Sequence, residues 1–279
     1  MVNPIPEVCL NIPESFEFHI VDGIATIVLD RPEAYNALTF DVYRELTQLF
    51  ADLQNEEQVR VVVITGRGKA FCSGGDVREI IGPLLEQGEE ALLQFTRMTC
   101  DLIWNMRNLE KPVIACLNGV TAGAGSMIAI ASDFRIAAET AKIAFLFVRV
   151  GLSGADMGAC YLLPKIVGLT KATELLMTGN FIPAQEALQT GLYNKVVPLD
   201  QLSDATMELA TELALGPANG LAVTKRMLNQ ETFPRLQEVL ELEARAQAKC
   251  MLHPDYQEGF QAFVEKRKPD FQRGGRGEK

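Results

Sequence analysis

Two glycine turns carry the backbone groups best placed for chemistry in this sequence. One turn spans residues 72–76 (CSGGD) and the other spans residues 123–126 (GAGS), and each comes after an apolar run typical of a buried strand. Free backbone N–H groups in such turns lie at the carboxyl edge of a parallel sheet, where they stabilise an anion or a developing oxyanion. Each turn alone is also explained as an ordinary connection between a strand and a helix. Taken together, the two turns predict an oxyanion site.

The carboxylate of Asp156 is the candidate group for proton transfer or nucleophilic attack. It precedes an apolar helical stretch at residues 159–167. Apolar side chains expected around it would lower the local dielectric and raise its pKa toward working pH; they are Phe145, Leu146, Phe147, Met127 and Met157. The same position also suits a helix N-cap, a role that aspartate favours. Two other aspartates are interpreted as structural, Asp76 within the first turn and Asp133 before a strand.

The composition disfavours several classes of function. The 279 residues include 36 acidic and 26 basic side chains, and the net charge of −10 disfavours binding to nucleic acid or to anionic membrane surfaces. No apolar run reaches the roughly 20 residues of a membrane-spanning helix, and the N-terminal segment lacks the features of a signal peptide. Two histidines and six dispersed cysteines provide no metal-ligand cluster of sensible spacing. We therefore expect a cytoplasmic protein without a metal site.

The elements that must position these residues alternate between strands and helices up to about residue 200. Apolar runs predict strands at residues 16–20, 24–29, 59–65, 113–117 and 134–138. Helices are predicted after Thr39, over residues 89–109, and from the second glycine turn to near Ser132. This alternation favours an α/β sheet with right-handed crossovers. The later pattern is helical, over residues 199–215, 218–230, 235–251 and 254–268, and residues 273–279 are expected to be disordered.

Several segments, in this order, resemble the crotonase (enoyl-CoA hydratase/isomerase) superfamily. They are residues 31–38 (RPEAYNAL), 70–76 (AFCSGGD), 111–119 (KPVIACLNG) with 122–125 (AGAG), 163–168 (LPKIVG) and 258–268 (EGFQAFVEKRK). The resemblance implies an α/β fold built as a spiral of ββα repeats. Residues 1–200 would form the acyl-CoA-binding core, and residues 201–279 a C-terminal helical oligomerisation region. It also implies a homotrimer, or a hexamer made of two trimers.

The resemblance further assigns roles to individual residues. The backbone N–H groups of Gly75 and Ala124 would form the oxyanion hole for a thioester oxygen. Coenzyme A and the acyl group would contact Glu33, Ala34, Asn36, Ser73, Gly74, Asp76, Val77, Gly123, Gly125, Met127 and Phe147. Phe263 and Lys266 would contact the adenine end of a coenzyme A bound by a neighbouring subunit. No cofactor is implied beyond the coenzyme A that belongs to the substrate.

Two departures from the family pattern bear on the reaction. Hydratases of the family carry glutamates at the positions occupied here by Met127 and Phe147, so hydration by two carboxylates is disfavoured. The position of Asp156 carries an aspartate in dienoyl-CoA isomerases, in the ring-opening isomerase of phenylacetate degradation and in 4-chlorobenzoyl-CoA dehalogenase. Our first hypothesis is therefore an enoyl-CoA isomerase with Asp156 as proton shuttle. The alternatives are a hydrolase or dehalogenase, an atypical hydratase that uses Asp156, and an inactive CoA-binding member.

Overall fold

A computed structural model describes residues 12–84, 86–229 and 254–271 of the chain. Ten strands in these ranges form two sheets; they are β1 Glu17–Val21, β2 Ile24–Leu29, β3 Val61–Gly66, β4 Ala70–Cys72, β5 Val113–Leu117, β6 Val120–Ala122, β7 Phe134–Ala138, β8 Lys142–Ala144, β9 Ile182–Pro183 and β10 Lys195–Val197. The larger sheet has the order β1-β2-β3-β5-β7-β10 and the smaller one the order β4-β6-β8-β9. Every pair in the larger sheet is parallel except the β1–β2 hairpin.

Nine α-helices lie in the described ranges, and they are α1 Phe40–Asp52, α2 Gly82–Leu84, α3 Glu89–Asn108, α4 Ala124–Ala131, α5 Ala159–Thr178, α6 Ala184–Gln189, α7 Leu202–Leu215, α8 Ala218–Asn229 and α9 Pro254–Glu265. Helical turns of other types occur at Pro32–Ala34, Val77–Ile81, Leu146–Val150 and Leu199–Gln201. Helix α5 is kinked at Gly168, which has a φ of 77°. Among these helices none is long and apolar enough to cross a membrane.

The chain repeats one pattern three times between β3 and α5. Each turn adds a strand to the larger sheet (β3, β5, β7), then a short strand to the smaller sheet (β4, β6, β8), and then helical structure. The expected α/β spiral of ββα repeats is thus confirmed. The strands of the smaller sheet have only 2 or 3 residues, too few for a periodic pattern, and the apolar runs in the sequence did not predict them.

The hairpin and the first helix form where the sequence predicts them. Asp22 and Gly23 both have positive φ, 51° and 79°, the conformation that a two-residue hairpin turn requires. The hydroxyl of Thr39 accepts a hydrogen bond from the N–H of Val42 at 3.3 Å and caps α1. The apolar face of α1 is buried and the helix packs against α3, so it has a fixed position next to the glycine turns.

The helices after residue 200 include one that packs directly on the larger sheet. Helix α7 contacts β2, β3, β5 and β7. Helix α8 follows it, and α9 is the last described helix. The predicted helix at residues 235–251 and the predicted disordered tail at 273–279 lie outside the described residues. The division into a core at 1–200 and an oligomerisation region at 201–279 stays a prediction.

A buried ion pair ties α8 to the larger sheet. The carboxylate of Asp133 accepts a hydrogen bond from Val113 N–H at 2.8 Å and lies 2.7 Å from Nζ of Lys225. Lys225 is only 6 % exposed, and it also donates to the carbonyl oxygens of Met106 and Lys111. The structural role predicted for Asp133 is therefore confirmed.

We expect Lys225→Met to lower the free energy of unfolding by about 3 kcal/mol, because the substitution removes the main counter-charge of a buried carboxylate. Urea denaturation measures this loss. The matched control is Arg226→Met, a substitution on the same helix as Lys225. It breaks an exposed ion pair between Arg226 and Glu110 and should cost less than about 1 kcal/mol. Equal losses for the two variants would contradict the assigned role of the buried pair.

Candidate active site

The two glycine turns predicted to act together lie in direct contact. A Cβ added to Gly74 would stand 3.3 Å from the carbonyl oxygen of Ala122 and 3.5 Å from the nitrogen of Ala124. A Cβ on Gly123 would stand 3.4 Å from Cα of Gly74. The φ values of Gly74 and Gly123 are 107° and 52°, in the region that side chains disfavour. Glycine at both positions therefore allows the two turns to approach.

Gly125 fixes the distance between α4 and β4. A Cβ at this position would lie 2.3 Å from the carbonyl oxygen of Cys72, far inside van der Waals contact. That oxygen belongs to the backbone and has no flexible side chain that could give way. The first turn of α4 can therefore rest on the end of β4 only because residue 125 is glycine.

The nitrogen atoms of Gly75 and Ala124 are both left without acceptors among the described residues. Gly75 forms a parallel bridge with Leu38, but the two hydrogen bonds of this bridge are made by the residues on either side of Gly75. The N–H of Leu38 donates to the carbonyl oxygen of Gly74 at 2.8 Å, and the N–H of Asp76 donates to the carbonyl oxygen of Leu38 at 2.9 Å. The N–H of Gly75 consequently points away from Leu38. Ala124 is the first residue of α4, where a backbone N–H has no acceptor within the helix.

The loop at residues 31–38 runs beside the first glycine turn and forms a rim around it. Ser73 N–H donates to the carbonyl oxygen of Tyr35 at 3.0 Å, and its hydroxyl lies 3.4 Å from the carbonyl oxygen of Ala34. Glu33 and Val77 are exposed at the same rim. The structure thus brings together most of the residues that the resemblance assigns to coenzyme A.

Asn36 has a structural task within this rim. Its side-chain oxygen accepts from Arg31 N–H at 2.9 Å, and its amide nitrogen donates to the carbonyl oxygens of Arg67 and Ala70 at 3.0 and 2.8 Å. The residue is 1 % exposed and has a φ of 56°. A ligand contact through this side chain would require breaking those bonds, and the N–H of Asn36 already donates to the carbonyl oxygen of Arg31 at 2.9 Å. The backbone carbonyl of Asn36 is therefore the group left for the predicted role.

Asp76 shapes the first turn as the sequence predicts. Its carboxylate accepts hydrogen bonds from the N–H groups of Arg78 and Glu79 at 2.9 and 3.1 Å, and it pairs with Arg31 at 3.1 Å. The hydrogen bond from Glu79 N–H, followed by those from Arg78 and Arg31, lowers the pKa of this carboxyl. The carboxylate of Asp76 is therefore ionised, and its hydrogen bonds and ion pair hold the loop in shape.

Asp156 lies in a strained turn before α5. The next residue, Met157, is buried and has a φ of 46°, a conformation rare for a side chain of this size. Its N–H faces both the carboxylate of Asp156 and the thiol of Cys100 on α3. Burial raises the pKa of Asp156, and the N–H of Met157 offsets only part of this effect. The alternative that Asp156 caps α5 is wrong, because Gly158 is the N-cap residue.

Tyr43 on α1 is a neighbour of the site that sequence reasoning did not single out. Its hydroxyl oxygen lies 3.8 Å from the point where a Cβ on Gly75 would stand. Burial raises the pKa of this phenol, and the nearby Cys72 and Asp156 raise it further. The hydroxyl therefore lies close to both the first glycine turn and the carboxylate, a proximity that no local sequence signal reveals.

Three apolar residues that the sequence suggests for the site are buried. Met127 on α4 is fully buried, and Phe147 and Met157 are 6 % and 2 % exposed. None of the three carries a group that can accept or donate a proton at neutral pH. Trp104 on α3 is 68 % exposed.

The remaining predicted contacts lie on α9 and just beyond it. Phe263 is part of α9, but its side chain lies outside the described residues. Lys266 follows the helix, is exposed and has a φ of 54°. The predicted contact of both with a neighbouring subunit's ligand stays a prediction. Within the described ranges no group of three His, Cys, Asp or Glu side chains is arranged to hold a metal ion.

Comparison with known proteins places this geometry in context. A sequence model of the family described as enoyl-CoA hydratase/isomerase matches residues 19–274. The trans-2-decenoyl-acyl-carrier-protein isomerase of Streptococcus mutans is 32% identical over 254 residues, which cover 91% of this chain and 96% of that protein. The 1,2-epoxyphenylacetyl-CoA isomerase of Escherichia coli is 33% identical over 257 residues, with the same two coverages of 91% and 96%. A crystal structure from Streptomyces coelicolor A3(2), of a candidate enoyl-CoA hydratase, has a TM-score of 0.91 and 46% identity, and 97% of each chain is covered.

We expect Gly125→Ala to destabilise the protein by about 1 to 3 kcal/mol, because the new Cβ would collide with the carbonyl oxygen of Cys72. Thermal or urea unfolding measures the change. The control is Gly88→Ala at the N-terminus of α3, where a Cβ meets nothing within 4 Å and φ is −79°. If Gly125→Ala is as stable as this control, the close approach of β4 and α4 is not a real constraint.

Proposed function

Because the chain belongs to the enoyl-CoA hydratase/isomerase family, we propose that it isomerises acyl-CoA thioesters, with Asp156 moving a proton between two carbons of the acyl group. The single observation that carries this proposal is the carboxylate of Asp156, whose charge acts on the Tyr43 phenol beside Gly75. Unlike Asp76, this carboxylate is not held by loop hydrogen bonds and an ion pair among the described residues. Asp156 is partly buried, and this burial raises its pKa. A carboxylate of this kind is a stronger base than one in water and suits proton transfer at carbon.

The two free N–H groups supply the other half of the mechanism. In the proposed reaction, the thioester oxygen accepts hydrogen bonds from Gly75 and Ala124. These bonds stabilise the negative charge that develops when a proton leaves carbon, so the neighbouring C–H bonds become more acidic. Asp156 takes the proton, a dienolate forms, and the protonated Asp156 returns the proton to a different carbon. No atom is gained or lost, and only the double bond changes position.

The surroundings of the site support isomerisation over addition of water. Hydration requires groups that position a water molecule and transfer its protons. Met127 and Phe147, at the positions where the resemblance places the hydratase glutamates, are buried and have no such groups. The same apolar surroundings suit a hydrocarbon acyl group, aliphatic or aromatic, and two of the similar proteins are named as isomerases.

The direct test is Asp156→Asn with a panel of 2-enoyl-CoA and 3-enoyl-CoA thioesters in deuterated water. NMR follows both the position of the double bond and the entry of deuterium at carbon. We expect both rates to fall roughly 10²-fold to 10⁴-fold, the usual contribution of a general base.

The control for this test is Asp101→Asn, the same chemical change at an exposed residue on α3 close to Cys100; it should retain the wild-type rates. Wild-type rates in Asp156→Asn would overturn the proposal. Release of free coenzyme A by the wild-type protein, without movement of the double bond, would instead indicate a hydrolase.

The pH dependence follows from the raised pKa of Asp156. A general base acts only when it is ionised, so kcat/KM should fall as the pH drops through the pKa of this carboxyl. Because burial raises that pKa above 3.8, the acid limb should lie above the range of an ordinary aspartate. A pH–rate profile measures it. An acid limb at or below the ordinary value would mean that another group controls the reaction.

Three further expectations stay predictions. They are assembly into homotrimers or hexamers, the use of coenzyme A only as part of the substrate, and a cytoplasmic location. Analytical ultracentrifugation tests the first.

A further inference from the structure

Tyr43 is a buried tyrosine whose hydroxyl makes no hydrogen bond to any described residue. The side chain is 3 % exposed, and its ring packs edge-on against Phe95 of α3 with 5.9 Å between ring centroids. The backbone is held in α1, where its N–H donates to Thr39 and its carbonyl oxygen accepts from the hydroxyl of Thr47. The ring therefore has a fixed place, while the polar end lacks a partner within the described structure.

The hydroxyl is directed toward the proposed reaction centre. It lies 3.8 Å from the Cβ position of Gly75, the residue whose N–H is one of the two free donors. The charge of Asp156 acts on the same phenol. Tyr43 thus lies beside one oxyanion donor, and its phenol is within range of the charge of the proposed base.

The chemistry of this phenol limits what it can do. Burial, with smaller contributions from Cys72 and Asp156, holds the pKa of Tyr43 well above 10.0, so the hydroxyl keeps its proton at any working pH. A neutral phenol among negative or developing negative charge acts as a hydrogen-bond donor. An acceptor on the substrate would give this hydroxyl the hydrogen-bond partner that it lacks among the described residues.

We propose that the hydroxyl of Tyr43 is a third hydrogen-bond donor to the bound acyl thioester, and that it stabilises the enolate together with the N–H groups of Gly75 and Ala124. This inference rests on the proposed function. The hydroxyl keeps its proton throughout, and Asp156 alone carries the proton that moves between carbons. The contribution belongs to the transition state because negative charge near Gly75 appears only when the C–H bond breaks.

The experiment compares two tyrosine-to-phenylalanine variants. Tyr43→Phe removes the hydroxyl and keeps the ring that packs on Phe95. The matched control is Tyr193→Phe. Tyr193 is 2 % exposed, and its hydroxyl also lacks a hydrogen-bond partner in the described part of the chain. This residue lies near Arg135, in the region of β7 and β10. Each variant removes one hydroxyl group from a tyrosine that is almost fully buried, but only Tyr43 lies at the site.

We expect Tyr43→Phe to lower kcat and kcat/KM for isomerisation together, on the order of 10²-fold, with little change in KM, as for the loss of one oxyanion donor. Tyr193→Phe should retain the wild-type kcat. Incorporation of 3-fluorotyrosine at position 43 keeps the fold and offers a stronger donor, so it should retain or raise kcat. This variant keeps the test decisive if Tyr43→Phe folds poorly.

Three results would overturn the inference. The first is a wild-type kcat in folded Tyr43→Phe, and the second is an equal loss in Tyr193→Phe. The third is an acid limb moved to higher pH in Tyr43→Phe with an unchanged kcat plateau. That result would show that the hydroxyl donates a hydrogen bond to the Asp156 carboxylate and not to the thioester oxygen. The outcome for Asp156→Asn stands apart: a full rate there removes the proposed function itself, whereas a normal Tyr43→Phe beside an inactive Asp156→Asn removes only the role of Tyr43.

Discussion

The contact between the carbonyl oxygen of Cys72 and the Cα of Gly125 is the interaction on which the site depends. A side chain at residue 125 would place a carbon 2.3 Å from that oxygen, so α4 can rest on β4 only through glycine. The same approach brings Gly74 against Gly123, and it sets the nitrogen atoms of Gly75 and Ala124 at the edges of two touching turns. Among the described residues, the N–H of Gly75 has no acceptor because the bridge to Leu38 uses its neighbours, and that of Ala124 has none because Ala124 begins a helix. Two backbone donors without acceptors in that part of the chain therefore belong to turns that touch.

Around this backbone frame, three separate segments bring side chains to one place. Helix α1 supplies Tyr43, α3 supplies Phe95 and Cys100, and the turn before α5 supplies Asp156. The position of Asp156 costs folding free energy, because the next residue, Met157, has a positive φ and the carboxylate is partly removed from water. Such strain and desolvation are typical of positions kept for function, since neither improves the stability of the fold. The ion pair of Asp133 with Lys225 is different in kind: it joins α8 to the larger sheet and lies among backbone groups that it satisfies.

Much of this architecture could be predicted from the sequence, for reasons that differ between elements. Strands β2, β3, β5 and β7 are long apolar runs, and the Asp22-Gly23 turn and the Thr39 cap have local chemical signatures. The smaller sheet has no such signal, because strands of 2 or 3 residues are specified by their partners; its presence was implied only by the family resemblance. The two glycine turns were predicted as a pair, but their contact depends on the sheet order. The interpretation of Asp156 as an N-cap failed because Gly158 is the N-cap residue of α5. The position of Tyr43 beside Gly75 arises entirely from tertiary packing.

The most direct test of this account is a crystal structure of the protein with an unreactive analogue of an enoyl-CoA thioester. The account predicts that the thioester oxygen lies about 2.7 to 3.1 Å from the nitrogen atoms of both Gly75 and Ala124. It also predicts that the carboxylate of Asp156 faces the carbons between which the proton would move. A thioester oxygen bound away from these two nitrogen atoms, or an acyl chain that leaves Asp156 in contact only with solvent, would contradict it.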